Sequence, residues 1–417
     1  EFPIISLHES FAFPTSMFLR NLMSIDTEEM IKAQPMDAAV LIGGCDKTVP
    51  ALVMGAASAN VPAVVEVTGP MLTGTHHGQR VGACTDCRRF WAKYRGGEID
   101  DAEVEELTNE LVPTAGTCGV MGTASTMALM TEAMGMMLPG GGAIPATFAD
   151  RPRHAELTGK RAVTMAAEGL TPKKVMTPAA VRNALRVLQA IGGSTNGLIH
   201  MTAMAGRLGI RVDLDAFDEL GRDIPVLVDL KPSGQYYMED LHRAGGLAPI
   251  LRELRDHLEL DALTVTGRTL GEEIDSLLPA YPQDVVKTVD APLYPGGGMV
   301  ILRGNLAPDG AVIKQSAANP NLLSHEGRAL VFSSLEDMAA RVDDPDLDVT
   351  AADVMVLQNA GPLGAPGMPE AGYLPIPKKL AEQGVKDMVR LSDARMSGTA
   401  FGTIILHVSP EAAEGGP

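Results

Sequence analysis

Aromatic residues are scarce in this sequence: phenylalanine, tyrosine and tryptophan make up 4% of 417 residues, with one tryptophan. The core must be filled by something else, and 23 methionines together with small residues supply it, which suits helices packed closely against a sheet. Cysteine is scarcer still. Four thiols in so long a chain exclude a disulfide framework and agree with a reducing, cytoplasmic setting. Basic charge is outweighed, since 34 lysines and arginines against 52 acidic residues leave a net charge of -18. That balance argues against nucleic acid as a partner, yet leaves open a small anionic ligand held by local cations. No apolar stretch approaches the roughly 20 residues of a membrane span, and no basic start followed by an apolar segment signals export. Repeats and low-complexity tracts are missing as well.

Hydrophobic residues are plentiful, at 45%, and the length predicts two or three domains. From Asp37 to about Ala280, strand-like runs such as Val61–Val65 and Ile224–Val228 alternate with helical patterns such as Ala102–Leu111, Pro178–Ile191 and Met238–Leu258. This alternation predicts a layered α/β domain over residues 1–283. After Pro282 the texture changes: Gly296 to Ile313 reads as short strands broken by Asn-Leu-Ala-Pro-Asp-Gly turn chemistry, so residues 284–417 are expected to be β-rich.

The densest chemistry lies at Gly43-Gly44-Cys45-Asp46-Lys47, where a thiol, a carboxylate and an amine follow one another directly after the apolar run Met36–Ile42. A soft ligand, a hard ligand and a modifiable nitrogen would stand at the carboxyl end of a buried strand, where open α/β sheets bind ligands. A buried cysteine beside a surface ion pair is the plainer reading.

Other segments have the same character. Gly116-Thr117-Cys118-Gly119 leads into a methionine-rich helical pattern, and small residues there let backbone approach a bulky group. Gly361 to Glu370 is too rich in proline and glycine for helix or central strand, yet it delivers the carboxylate of Glu370. Ser397 stands between Arg395 and a glycine-rich turn. Cys84 and Cys87 have metal-like or redox-like spacing and either supply a thiolate or sit as ordinary cysteines beside a basic, aromatic surface. His76 and His77 occupy a polar loop, where adjacent side chains are expected to point apart rather than share an ion, so His76 is read as a substrate contact. His200 is read as a core histidine, and Ser194, Thr195 and Asn196 as hydroxyl and amide donors suited to a polyol.

Six motifs occur in order: Cys45-Asp46-Lys47, Gly116-Thr117-Cys118 through Ala124-Ser125-Thr126-Met127, Gly192-Gly193-Ser194-Thr195-Asn196, Asp229 to Gly234, Pro366-Gly367-Met368-Pro369-Glu370, and Arg395-Met396-Ser397-Gly398. Over nearly all its length the chain resembles the dihydroxy-acid and 6-phosphogluconate dehydratase family, and its variants look more like the sugar-acid branch acting on arabinonate or xylonate. The resemblance implies a hydro-lyase that turns an aldonate into a 2-keto-3-deoxy acid. It implies an iron–sulfur cluster, [2Fe-2S] rather than [4Fe-4S], on Cys45 and Cys118. It also implies a magnesium site from Glu9, Asp46, Glu370 and a carbamylated Lys47, with Ser397 as base. A carboxy-terminal β-barrel packed on the α/β domain, a cleft between the two, and a homodimer or homotetramer are implied likewise.

One departure stands out. The family's third cluster cysteine lies ahead of the Cys45 motif, and this chain has none there; with its start at Glu1 and its stop at Gly415-Gly416-Pro417, both ends are expected to continue. Two other readings remain open: a dihydroxy-acid dehydratase of branched-chain amino-acid biosynthesis, and a non-enzymatic protein holding zinc on Cys45, Cys84, Cys87 and Cys118.

Overall fold

The computed structural model describes residues 16–417, so Glu9 lies outside the described residues. Helix α1 (Ser16–Ala33) leads to strand β1 (Ala39–Gly43), helix α2 (Thr48–Ala59) and strand β2 (Ala63–Val67). The strands pair in parallel from Ala39 opposite Ala63 to Gly43 opposite Val67, and α2 is the crossover that a parallel pair requires. Every residue of β2 is buried, as a β-branched run covered on both faces should be. The predicted strand before the Cys45 motif is therefore present, and it ends at the glycine pair.

A hairpin of β3 (Gly74–His76) and β4 (Gln79–Val81) follows, then helices α3 (Thr85–Arg95), α4 (Asp101–Glu110), α5 (Thr123–Ala133), α6 (Asp150–Glu168), α7 (Pro178–Ala190), α8 (Asn196–Gly206) and α9 (Leu214–Arg222). All of α5 is buried. Met127, Met130, Met134 and Met137 meet Met201 and Met204 of α8 in the largest apolar cluster, so methionine does fill the space that aromatics leave. Beneath it Glu66 accepts from Arg151 at 2.8 Å and Thr158 at 2.8 Å and pairs with His154 at 2.6 Å, satisfying a carboxylate in the middle of a buried strand.

Two expectations are corrected. Ile224–Val228 forms isolated bridges, Val226 to Tyr294 and Val228 to Val286, because its partners are short segments interrupted by proline and glycine. The single helix expected over Met238–Leu258 is split into Met238–Arg243, Ala248–Glu253 and a 3-10 turn Arg255–His257, since Gly245 and Gly246 take positive φ values of 107° and 66°.

The carboxy-terminal part is β-rich. Strands β5 (Val300–Gly304), β6 (Ala307–Ile313), β7 (Ala329–Phe332), β8 (Val354–Leu357), β9 (Arg390–Ser392) and β10 (Ile404–Ser409) form one sheet in the order β5-β6-β10-β9-β8-β7. β7 through β10 run parallel, while β6 is antiparallel to both β10 and β5. This sheet is open: β5 and β7 are its edges, and no barrel closes among the described residues.

Side chains latch this sheet to the helices. Gln189 of α7 accepts from Met299 N at 2.9 Å, Asp218 of α9 accepts from Ile301 N at 3.0 Å, and Thr85 of α3 donates to Thr399 O at 2.8 Å. Among the described residues no helix is long and apolar enough to cross a membrane.

Candidate active site

The turn between β1 and α2 presents Cys45, Asp46 and Lys47. Cys45 has φ 74°, a left-handed value uncommon outside glycine and of the kind that collects where a side chain must be aimed. Its Sγ lies 3.5 Å from Asp46 Oδ1. Lys47 is fully buried, and its Nζ sits 2.5 Å from Asp46 Oδ2 and 3.6 Å from Glu370 Oε1. Burial pushes the Asp46 carboxyl up, but the charge and hydrogen bond of Lys47, with Arg395 behind them, hold it below the usual range.

Glu370 reaches this place from the loop after β8. Its Oε1 accepts from Arg395 Nη1 at 2.6 Å and from Asn196 Nδ2 at 2.9 Å. Arg395, itself buried, also donates from Nε to Met368 O at 2.5 Å and from Nη2 to Ser16 Oγ at 2.7 Å, which ties the loop to α1. At the start of α8, Ser194, Thr195 and Asn196 are all buried. Ser194 Oγ meets Thr123 Oγ1 at 2.8 Å, while Asn196 Nδ2 also reaches Met396 O at 3.0 Å. Ser194 and Asn196 thus join α5, α8 and the Arg395 loop, and Asn196 orients Glu370.

The thiols gather from two further segments. Cys84 Sγ lies 3.2 Å from Cys118 Sγ. Cys84 caps α3 with φ 78°, a second strained, non-glycine position at the site. The helix start is fixed by buried Asp86, which accepts from Gly82 N at 2.8 Å, Tyr237 Oη at 2.7 Å and Lys231 Nζ at 2.9 Å. The hydrogen bond with Cys84, burial, and the neighbouring charges of Cys84, Cys45 and Asp46 push the Cys118 thiol well up. The Cys84 thiol moves down through the same hydrogen bond and the charge of Arg88, against burial. Cys87 turns elsewhere, packing against Val81, Phe90, Leu107 and Leu111, and burial raises its thiol.

Ser397 Oγ lies 2.8 Å from Thr399 Oγ1, the residue whose carbonyl Thr85 holds beside Cys84. Arg395, sequence neighbour of that serine turn, spends its guanidinium on Glu370. His200 is buried, and its Nδ1 accepts from Arg20 Nη1 at 3.1 Å, since a guanidinium only donates. Burial and the surrounding cations Arg20, Lys47 and Arg395 hold its imidazole well below the ordinary value, so it is neutral and accepts. His76 stands against Glu103 of α4 and the ring of Phe90. A cavity of about 390 Å³ opens beside Cys84 and Cys87, lined also by Arg88, Trp91 and Tyr373. Another of about 710 Å³ reaches Cys45 and Thr68 from the side of α1.

The structure thus unites Cys45, Asp46, Lys47, Glu370, Asn196 and Arg395, and sets Cys84 against Cys118. The sequence left Cys84 either a thiolate donor or an ordinary cysteine, and gave no sign that it stands against Cys118 or that Arg88 lines the cavity beside it. Its one local signal was its place directly ahead of a helix that contains Cys87.

Buried carboxylates, a paired lysine and clustered thiols at the edge of an α/β layer bring hard and soft donor groups together in one enzyme-like site. The chain belongs to the dihydroxy-acid/6-phosphogluconate dehydratase family: residues 3–273 match Dihydroxy-acid/6-phosphogluconate dehydratase N-terminal and residues 284–417 match the C-terminal counterpart. It is a hydro-lyase. It is 51% identical to an L-arabonate dehydratase of Azospirillum brasilense and 49% identical to an L-arabinonate dehydratase of Rhizobium leguminosarum bv. trifolii, each over 100% of this chain and 72% of the relative. A 6-deoxy-6-sulfo-D-gluconate dehydratase of Pseudomonas putida is 46% identical over 100% of this chain and 72% of the relative. A dihydroxy-acid dehydratase of Clostridium botulinum is 40% identical over 98% of this chain and 73% of the relative. Membership in a family of dehydratases sets aside the non-enzymatic zinc reading.

Proposed function

We propose that this chain dehydrates a sugar acid, an aldonate of the pentonate class, to a 2-keto-3-deoxy acid at a site that takes an iron–sulfur cluster and a magnesium ion. The observation that carries the reading is the meeting of Asp46 and Glu370 on Lys47 Nζ, beside a cysteine that belongs with two more thiols. Two carboxylates around one buried positive charge make a place suited to a hard cation, and a carbamate on Lys47 would turn its amine into a third oxygen donor. Cys45, Cys84 and Cys118 give a soft donor set. Thiolates gathered beside a carboxylate are a donor set that a cation such as iron balances.

When bound, the two groups supply Lewis acidity, on the hard side to the carboxylate and 2-hydroxyl of the substrate and on the soft side to the departing 3-hydroxyl. The chain's own residues do the rest. Arg395 and Asn196 hold Glu370 in place, and Arg88 lends positive charge to the open cavity beside Cys84, which favours entry of an anionic acid. Ser397, having first given its own proton to solvent, takes the proton from carbon 2 as the alkoxide and becomes a hydroxyl again, with Thr399 Oγ1 2.8 Å away to hold the oxygen in position. Loss of hydroxide from carbon 3 then leaves an enol that tautomerises to the keto acid. Higher identity to relatives named for arabinonate, arabonate and sulfogluconate than to a dihydroxy-acid dehydratase favours the sugar acid. The enzyme is read as a cytoplasmic homodimer or homotetramer.

The test is a panel of aldonic acids, with 2,3-dihydroxyisovalerate alongside, offered to anaerobically prepared protein with magnesium while 2-keto-3-deoxy product is measured. Turnover of a pentonate is expected. Turnover of the branched acid alone would overturn the substrate class, and no dehydration of any of them by iron-replete protein would overturn the activity.

A further inference from the structure

We propose a second metal site, for a divalent ion of the zinc class, on the β3–β4 hairpin: His76 and His77 with Glu103 of α4, and Glu106 one turn further along that helix. Adjacent residues of an extended strand face opposite ways, but this pair does not. His77 and Gly78 form the two-residue turn of the hairpin with φ values of 47° and 76°, the left-handed pair that a tight β-turn of this length needs. The turn folds the His77 ring back over His76, so that the rings stack with centroids 4.0 Å apart and planes 30° from parallel.

Both rings then face the same side of α4. His76 Nε2 lies 3.5 Å from Glu103 Oε1, and His77 Nε2 lies 3.6 Å from Glu106 Oε2. Ligand atoms of His76, His77 and Glu103 all fall within 4.8 Å of one another. Those separations are long for hydrogen bonds. The two His–Glu distances, 3.5 and 3.6 Å, come near the spacing of donors sharing an ion, because bonds of about 2.0–2.1 Å in tetrahedral array set the donors roughly 3.3 Å apart, and the wider spacing within the group closes when an ion is bound.

A second observation points the same way. His76 is 5% exposed, and neither of its ring nitrogens has a hydrogen-bond partner among the described residues. Leaving both nitrogens of a buried imidazole unsatisfied is unfavourable, and a metal ion at Nε2 removes half of that penalty. The ring is held from behind by the edge contact with Phe90 at 5.8 Å, so it cannot easily turn to water. Glu103 and Glu106 are three residues apart on one face of a helix that Asp100 caps at 3.0 Å, which gives the carboxylates a firm base. Two imidazoles and a carboxylate suit zinc, cobalt or nickel better than magnesium. His77 and Glu106 are exposed, so the ion has a path from solvent. Its effect would be to staple the hairpin to α4, independently of the Asp46–Glu370 centre.

Cobalt(II) is the probe. Titrated into the full chain, it should fill a site whose visible d–d bands carry no thiolate-to-cobalt charge transfer, distinguishing it from ion taken up by Cys45, Cys84 or Cys118. His77→Ala and Glu103→Gln, both at surface-accessible positions, should each lose one equivalent of this nitrogen- and oxygen-bound cobalt while circular dichroism stays unchanged; zinc should displace the ion from the parent protein. Equal binding by parent and both variants, or cobalt bound only with sulfur charge-transfer bands, would overturn the site.

Discussion

Asn196 Nδ2 donates to Glu370 Oε1 at 2.9 Å, joining the first turn of α8 to a loop in the β-rich part of the chain. A side chain that spends its amide on a would-be metal ligand sets where that ligand points, and such supporting contacts commonly matter by 10- to 100-fold. Asn196→Ala should therefore lower kcat by about that factor and raise the magnesium concentration needed for half activity. Unchanged kcat and unchanged magnesium dependence would show that Arg395 positions Glu370 alone.

Ser397→Ala tests the base. The variant should keep its iron content, its visible spectrum and its magnesium response while activity falls by about 10²–10⁴. Near-normal turnover would remove this hydroxyl from the proton transfer.

Cys84→Ser and Cys87→Ser separate two cysteines that sequence spacing treats alike. Cys84 faces Cys118 at 3.2 Å, whereas Cys87 is packed among apolar side chains. Iron per chain and visible absorbance should drop in the first variant and hold in the second. Full iron retention by Cys84→Ser would mean that its sulfur is no ligand.

Glu66 offers a test of pH-linked stability. Burial pushes its carboxyl up, but the hydrogen bonds from His154 and Arg151 outweigh this and hold it below 4.5, while for His154 the carboxylate outweighs burial and raises the imidazole above 6.5. A lowered carboxyl stabilises the fold fully above its unfolded value and loses that contribution as pH falls through the folded one. A raised imidazole does so below its unfolded value and loses it as pH rises. The stability gap between parent and Glu66→Gln should thus be widest between about pH 4.5 and 6.5, at roughly 3–5 kcal/mol, because the variant leaves Arg151 buried without its anion. Urea midpoints across this range check it; a gap that does not narrow on either side would refute the linkage.

Lys314 is buried without a hydrogen-bond partner among the described residues, and burial brings its ammonium down to about 7. The penalty for burying it is complete below that pH and fades as pH climbs towards 10.5, where the unfolded chain also gives up the proton. Lys314→Met keeps the alkyl stem and should add on the order of 1–3 kcal/mol at pH 6, with little gain near pH 10. A gain that grows with pH would contradict this.

Local patterns were enough for β1, β2, α4 and α7, because each is a short-range matter of apolar spacing, glycine and capping residues. The strand expected at 224–228 and the unbroken helix expected over 238–258 failed for reasons outside such windows: one lacked regular partners, and the other contained a glycine pair in left-handed conformation. At the site, Cys45, Asp46, Lys47 and Glu370 were readable as donors from their motifs. Cys84 was not, since its value depends on standing next to Cys118, a long-range contact. The closeness of His76 and His77 was hidden for a different reason. It rests on a single φ of 47° at His77, which reverses the usual alternation of side chains.

The carboxylates flanking Lys47 come from segments far apart in sequence, one beside a parallel strand pair and one from a loop of the open sheet. Neither segment can assemble this cradle alone. Capture of the proposed magnesium would therefore report whether the two have docked, and a partly folded chain would be kept from doing chemistry on whatever acid it meets.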